Sequence, residues 1–320
     1  MYDLIIVGGG PAAVAAGVYA ARKKLQTLVV TESFESQSFV SDKIENWIGE
    51  ISISGFDLAQ KLEAHLRAQE TIEVKTGERV EKIETSNCTD GQRVCDFTVK
   101  TNKGNEYSAK SLIIVSGGRR RTLGVPGEKK FMGTGVAFCA TCDAPIFKDK
   151  NVAVIGGGNA GLEAVVDLLA YARKIYLLAR GDALRGDPLT YEEIKKHDNV
   201  EIILNAETQE IVGDKFVTGL CYKDQKTNKE TTLSIQGVFV EIGSAPNSEM
   251  VKELVELNRY GEIIIDAKIA ATSHPGIFAA GDVTDDIYKQ NNIAVGDGVR
   301  AALSAYNYIL NRKKESPASA

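Results

Sequence analysis

Cys139 and Cys142 stand two residues apart and are followed at once by Asp143, in the run Cys139-Ala140-Thr141-Cys142-Asp143. This spacing brings two sulfurs close enough to close a small ring, and a helix beginning there depresses a thiolate pKa through its free N–H groups. A carboxyl directly after the second sulfur can carry the proton that dithiol chemistry takes up or releases. A zinc site needs two further ligands. The remaining cysteines (Cys88, Cys95, Cys221) and the three histidines (His65, His197, His274) offer no second pair at ligand spacing. Cys88, Cys95 and Cys221 read as packing or surface thiols, and the odd cysteine count argues against a structural disulfide framework.

The pair lies between two copies of one unit. Asp3–Glu32 and Asn151–Arg180 each run apolar strand, glycine turn, helix, apolar strand. In the first turn Gly8 and Gly10 occupy the G-x-G positions, Pro11 and Ala12 follow, and the small Ala13 takes the third position. Gly8 allows the tight turn, Gly10 lets backbone approach a pyrophosphate, and the helix N-terminus favours its negative charge. Glu32 closes the second strand where an acid accepts from ribose hydroxyls. The second turn, Gly156, Gly158, Asn159, Ala160 and Gly161, has glycine at all three positions, but its second strand ends on Ala179-Arg180 with Arg185 nearby. The acid expected for an NAD ribose is missing, and arginines there pair with a 2′-phosphate or are merely solvated charges.

These units set the architecture. The expected fold class is α/β, with two Rossmann-like three-layer nucleotide-binding domains, the second inserted in the first. Residues 1–118 and 246–320 form the first and 119–245 the second, which carries the cysteine pair. Ile72 to Ile114 reads as an antiparallel layer added to the first sheet. Ser116–Glu128 and Gly243–Ser248 read as linkers, and a closing helix runs over about 293–310 before a polar tail, Asn311–Ala320, without packed structure. The apolar run Ile5–Ala21 reads as strand, turn and buried helix rather than a leader, because it lacks a basic flank and is broken by glycines and Pro11. With 43% hydrophobic and 25% charged residues and a net charge of −5, the chain is expected to be globular and cytoplasmic, with no nucleic-acid footprint and no membrane span.

Two G-x-G-x-x-G/A turns, a C-x-x-C-D between them and the late Phe278-Ala279-Ala280-Gly281-Asp282-Val283 together resemble the low-molecular-weight thioredoxin reductases over nearly the whole chain. The second half is also similar to the flavoprotein subunit of alkyl hydroperoxide reductase, in the stretches 156–168 and 288–309. That subunit carries an extra N-terminal thioredoxin-like domain. Here the first strand begins at Asp3, so the disulfide is expected to be discharged by a separate protein. The resemblance implies FAD and NADPH or NADH as cofactors, a thioredoxin-like or glutaredoxin-like small redox protein as partner, and a homodimer. It implies that Asp282 binds the flavin ribityl chain, that Gln290, Asn291 and Ile293 lie against the isoalloxazine, and that Gln37, Asn46, Gly117 and Gly281 complete the FAD site. It further implies that Cys142 meets the flavin, Cys139 exchanges with the partner's disulfide, and Asp143 is the acid.

The sequence departs from that pattern in four places. A small loop that reads "GGQ" in the family is Glu35-Ser36-Gln37, the glycine after C-D is Ala144, and the NADPH signature H-R-R-x-x-x-R keeps only Arg180 and Arg185. The acid of an NADH-using relative is Ala179. NADPH, NADH and ferredoxin all stay open as electron sources. A flavin dithiol oxidase and a flavin redox sensor without turnover are the competing readings. Because the nicotinamide and the disulfide both belong to the inserted domain, presenting each to one flavin requires that domain to turn about its linkers.

Overall fold

The computed structural model describes residues 1–41, 43–86 and 95–315. Alternating apolar residues open the chain as β1 (Tyr2–Val7), which sends Leu4 and Ile6 to one face and Ile5 and Val7 to the other. The glycine turn follows, and Pro11, which has no N–H to lose at a helix start, begins α1 (Pro11–Arg22). The Ile5–Ala21 run is thus strand, turn and helix, as its sequence implies. After β2 (Thr27–Thr31) comes α2 (Gly55–Arg67), capped by Ser54, whose side chain accepts from the Asp57 N–H. The chain continues through β3 (Ile72–Thr76), β4 (Val80–Ser86), β5 (Asp96–Thr101) and β6 (Glu106–Ile114). β3 differs from the sequence reading: it pairs parallel to β2, not within the antiparallel layer, because α2 supplies the crossover that a parallel neighbour needs. Only β5 runs antiparallel to its neighbours, β4 on one side and β6 on the other.

Short β7 (Gly118–Arg120) leads into the second compact unit, Arg120–Ser244. There β8 (Val136–Ala137) precedes a single helical turn, α3 (Ala140–Asp143). The duplicated motif follows as β9 (Asn151–Ile155), α4 (Asn159–Leu169) and β10 (Lys174–Ala179). After α5 (Pro188–Ile194) and β11 (Val200–Leu204), the strands β12 (Ala206–Gly213), β13 (Val217–Asp224) and β14 (Glu230–Ser234) form a separate antiparallel sheet. β15 (Gly237–Val240) returns to the parallel sheet, whose order is β11-β10-β9-β15-β8. One face of that sheet packs Val152, Val154 and Leu177 against α4 and against Ala140, Ala144 and Phe147 around α3. The other packs Ala153, Leu178 and Val238 against the antiparallel sheet through Ile211, Val217 and Leu220.

The chain leaves this unit through β16 (Ser244–Pro246), which pairs with β7, so the two crossing segments lie hydrogen-bonded side by side. β17 (Ile277–Ala279) then pairs parallel to the C-terminal half of β6, and α6 (Asn291–Glu315) closes the first unit, Met1–Arg119 with Ala245–Ala320. In this unit the Leu4/Ile6 face packs on α1 and α6 and the Ile5/Val7 face on Phe97, Val251 and Ile263. Among the described residues no helix is long and apolar enough to cross a membrane.

α6 runs beyond the expected end at Leu310. The residue that extends it is Arg312, whose guanidinium donates to Asp96 at 2.6 Å and to the carbonyls of Cys95 and Lys110 at 2.9 and 3.0 Å. Residues 316–320 of the expected tail lie outside the described residues, as does Cys88. Cys95 is disulfide-bonded, which corrects its reading as a free packing thiol. Because Asp96 and Arg312 are both largely withdrawn from solvent, Arg312→Ala is expected to cost about 2–3 kcal/mol. The check is the denaturant midpoint of the purified protein.

Candidate functional site

In the first unit the glycine turn is fixed by close backbone approach. Gly8 sits at φ +132°, and a side chain there would strike the Val115 carbonyl at 2.2 Å. Gly9 is equally confined, by the Ser33 carbonyl at 2.3 Å. Gly10 is different: its missing Cβ would meet only Ser36 Cβ, at 3.8 Å, and it caps α1 with extended backbone and no side-chain hydrogen bond. The turn therefore leaves a cradle in front of a helix N-terminus. Around the same end of the sheet the structure gathers residues that are remote in sequence. Gln37 donates to Asp282 at 3.0 Å, Asn46 to Gln290 at 3.4 Å, and Asn291 to Ser38 at 3.2 Å. Gly281, at φ +73°, brings its Cα against Ala12 and Ala294, where a side chain would lie at 3.4 and 3.3 Å. Gln290 caps α6 by accepting from Ala294 N–H, and Ile293 is half-buried in the first turn. Gly117 has φ +64° with open space at its Cβ position. Glu32 is exposed, with Arg79 4.0 Å away.

One buried acid here escaped the sequence reading. Asp297 on α6 is 4% exposed, holds Arg300 at 2.8 Å through one oxygen, and has no hydrogen-bond partner among the described residues at the other. Burial pushes its pKa up, against the pull of Arg300. A charged residue one turn inside an otherwise amphipathic helix looks solvated in sequence, so nothing marked it.

In the second unit Gly156, at φ +149°, meets the Glu241 carbonyl where its Cβ would lie, at 2.1 Å, and Gly161 meets the Gly156 carbonyl at 2.0 Å. Gly158 caps α4 with extended backbone and has nothing within 4 Å of its Cβ position, so this turn also opens a cradle at a helix N-terminus. The loop after β10 folds back on it. Arg185 N–H donates to the Gly157 carbonyl at 2.6 Å, and Asp187 N–H to the Asn159 side chain at 2.7 Å. Arg180 and Arg185 are exposed, as is Ala160, and neither arginine makes an ion pair within 4 Å among the described residues.

Cys139 and Cys142 are joined as a disulfide, with Cα atoms 5.3 Å apart. Cys139 caps α3, and its carbonyl accepts from the N–H groups of Cys142 and Asp143 at 3.2 and 3.0 Å. Thr141 donates to Asp167 of α4 at 2.7 Å. Asp143 is half-buried; desolvation raises its carboxyl from 3.8 to about 6, with the Arg120 guanidinium pulling the other way. Arg120 itself lies over the Phe138 ring at 5.0 Å. Glu241, just past β15, is also half-buried, and burial raises it to about 8 despite Arg120 and a hydrogen bond from the Ala140 N–H. The arrangement can hold protons next to a reducible S–S bond near neutral pH.

Each unit thus carries a glycine-turn sheet, and the second adds a closed C-x-x-C pair with a half-buried acid beside it. Residues 2–298 match the family model for pyridine nucleotide-disulphide oxidoreductases. The chain belongs to that family, and within it to the thioredoxin reductase-like flavoprotein disulfide reductases. It is 43% identical over 310 residues to an alkyl hydroperoxide reductase component of Pseudomonas aeruginosa, covering 97% of this chain and 58% of that protein. It is 41% identical over 309 residues to the NADH dehydrogenase of Bacillus subtilis, covering 97% and 59%. The chain thus spans about three-fifths of the length of these curated relatives. The crystal structure of thioredoxin reductase from Streptococcus pyogenes superposes with a TM-score of 0.89 at 34% identity, covering 97% of this chain and 99% of that one.

The shifted acid carries a pH signature. Asp143 binds its proton more tightly in the folded than in the unfolded chain, so its contribution to stability is complete below pH 3.8 and is lost as pH rises through about 6. Asp143→Asn is therefore expected to stabilise the oxidised protein by about 2 kcal/mol at pH 7 and by nothing at pH 4. Denaturant melts at the two pH values measure the difference.

Proposed function

We propose that the chain is a flavin-dependent disulfide reductase of the thioredoxin-disulfide reductase type, with NADPH as its preferred donor and a thioredoxin-like or glutaredoxin-like small protein as its acceptor. The observation that carries this reading is the closed Cys139–Cys142 pair beside Asp143, in a unit that also holds a nucleotide-type glycine turn. Similarity to the Streptococcus pyogenes thioredoxin reductase supports the acceptor class. On this reading the first unit is the FAD domain and the second the NAD(P) domain, with expected bounds 1–118 and 246–320, and 119–245. The protein works in the cytoplasm as a homodimer.

The residues present fit both groups. Open space at Gly10 and at Gly158, each before uncapped helical N–H groups, suits a diphosphate. Pro11, Ala12 and Ala13 keep the first cradle small. Glu32, exposed with Arg79 4.0 Å away, accepts from a ribose, and Asp282, set by Gln37, from ribityl hydroxyls. Gln290, Asn291 and Ile293 open α6, whose N-terminal N–H groups favour negative charge in front of them. When bound, FAD supplies the two-electron carrier between nicotinamide and disulfide. Cys142 receives the electrons, Cys139 attacks the acceptor's disulfide, and Asp143 delivers or removes the proton at sulfur. Asn159, Ala160 and Gly161 begin the second cradle, and Arg180 and Arg185 face a 2′-phosphate.

Anaerobic mixing with NADPH, NADH or reduced ferredoxin, followed by flavin absorbance, tests the donor. Rapid bleaching by NADPH is expected; bleaching only by ferredoxin, or by none, overturns this part. Cys142→Ser is expected to retain FAD and lose acceptor reduction by more than about 100-fold, and full activity in that variant sinks the assignment. The double replacement Arg180→Ala/Arg185→Ala should raise KM for NADPH by roughly 10–100-fold and leave NADH unchanged, since each charge-assisted contact is worth about 1.5–3 kcal/mol.

A further inference from the structure

Thr141 stands between the two cysteines and has no part in the reaction as described, yet its exposed side chain is tied down. Its hydroxyl donates to a carboxylate oxygen of Asp167 on α4 at 2.7 Å. That acid stands where a helix least favours one. Asp167 lies in the last turn of α4, at the negative end of the backbone dipole, and no basic residue shares that turn to offset it. Val165 and Leu168, on either side of it, are fully buried in one cluster with Ala140, Ala144 and Phe147 around α3. Asp167 is half-buried at the rim of that contact, with its carboxylate held against the cysteine turn.

We propose that Asp167 is a positioning residue for the disulfide chemistry: held by Thr141, its carboxylate fixes a negative charge beside the Cys139–Cys142 turn and makes the pair harder to reduce. Reduction converts one S–S bond, two electrons and one proton into one thiolate and one thiol. The new charge forms at the start of α3, where helical N–H groups favour it. Asp167 opposes it through the residue next to Cys142. The closed pair carries no such charge, so the carboxylate does not act against it. The dithiol is thereby a stronger reductant, which passing electrons onward requires. In turnover the electrons come from reduced flavin, so this role rests on the reductase reading; in the test they come from a small dithiol.

Charge and hydrogen bond separate at these two positions. Asp167→Asn keeps an oxygen able to accept from Thr141 and removes the charge. Thr141→Val keeps the carboxylate and a side chain of similar shape but removes the donor, which frees the carboxylate to turn into solvent. Thr141→Ser keeps the donor. A fixed charge makes the first two changes shift the equilibrium the same way, and leaves Thr141→Val without effect once the charge is gone. A merely structural contact makes Asp167→Asn silent and Thr141→Val not. Salt separates the two cases as well, since a half-exposed charge is screened and a packing contact is not.

The experiment is anaerobic equilibration of the holoenzyme and these variants in dithiothreitol redox buffers at pH 7, in low salt and in about 1 M salt. The oxidised fraction of the peptide containing Cys139 and Cys142 is then read by alkylation and mass spectrometry, which sets aside the free Cys221. In low salt Asp167→Asn is expected to be roughly three- to tenfold easier to reduce than the wild type. Thr141→Val should shift the same way, and Thr141→Ser should stay close to wild type. The double variant Asp167→Asn/Thr141→Val should match Asp167→Asn alone, and the gap between wild type and Asp167→Asn should close in high salt. An Asp167→Asn equilibrium equal to that of the wild type in low salt overturns the proposal. So does a shift that high salt leaves intact, or one that adds in full to that of Thr141→Val. Should the valine variant fail to fold, Asp167→Asn and its salt dependence still decide the outcome. The equilibrium needs neither donor nor acceptor protein. A salt-sensitive, Asp167-dependent equilibrium in a protein that reduces no acceptor would sink the functional reading alone, and turnover with an equilibrium indifferent to Asp167 would sink this one alone.

Discussion

The chemistry of the second unit depends on one close approach, that of Gly156 to the backbone of Glu241. A carbonyl 2.1 Å from where a Cβ would sit admits no other residue at Gly156. That contact locks the end of β9 to the end of β15. β9 then aims the glycine turn and α4, while β8, which pairs with β15, delivers the chain into the Cys139–Cys142 turn. The open glycine turn and the disulfide are thus two outcomes of one piece of strand pairing. The first unit repeats the device at Gly8 and Val115, without cysteines beside it.

Much of this was legible in the sequence because it is written in short-range patterns. The duplicated strand–turn–helix, the C-x-x-C-D run and the late Gly-Asp all rest on spacings of a few residues, and the structure forms an element at each. What was not legible depends on distant partners. α2 and the parallel pairing of β3 were missed because the chain after β2 carries no glycine motif to announce a crossover. The extension of α6 to Glu315 follows from Arg312 meeting Asp96, 216 residues away in sequence. Glu241 reads as an ordinary acid at the end of a buried strand. Only the fold shows that this strand end faces the cysteine turn.

The two carboxyls near the disulfide show how position within one small cluster separates similar groups. Asp143 and Glu241 both lose solvation and both feel Arg120, yet burial lifts one to about 6 and the other to about 8. Burial thus favours the protonated form of both acids, and more strongly at Glu241 than at Asp143.

Arg120 belongs to β7, the first of the two strands that carry the chain across between the units, and it pairs there with β16. The counter-charge of the acids is therefore mounted on the tether itself. Lengthening, shortening or re-registering that ribbon would shift Arg120 and so retune the acidity around the sulfurs. In this scaffold a charge and the covalent join share a part, so neither can be redesigned as a neutral spacer.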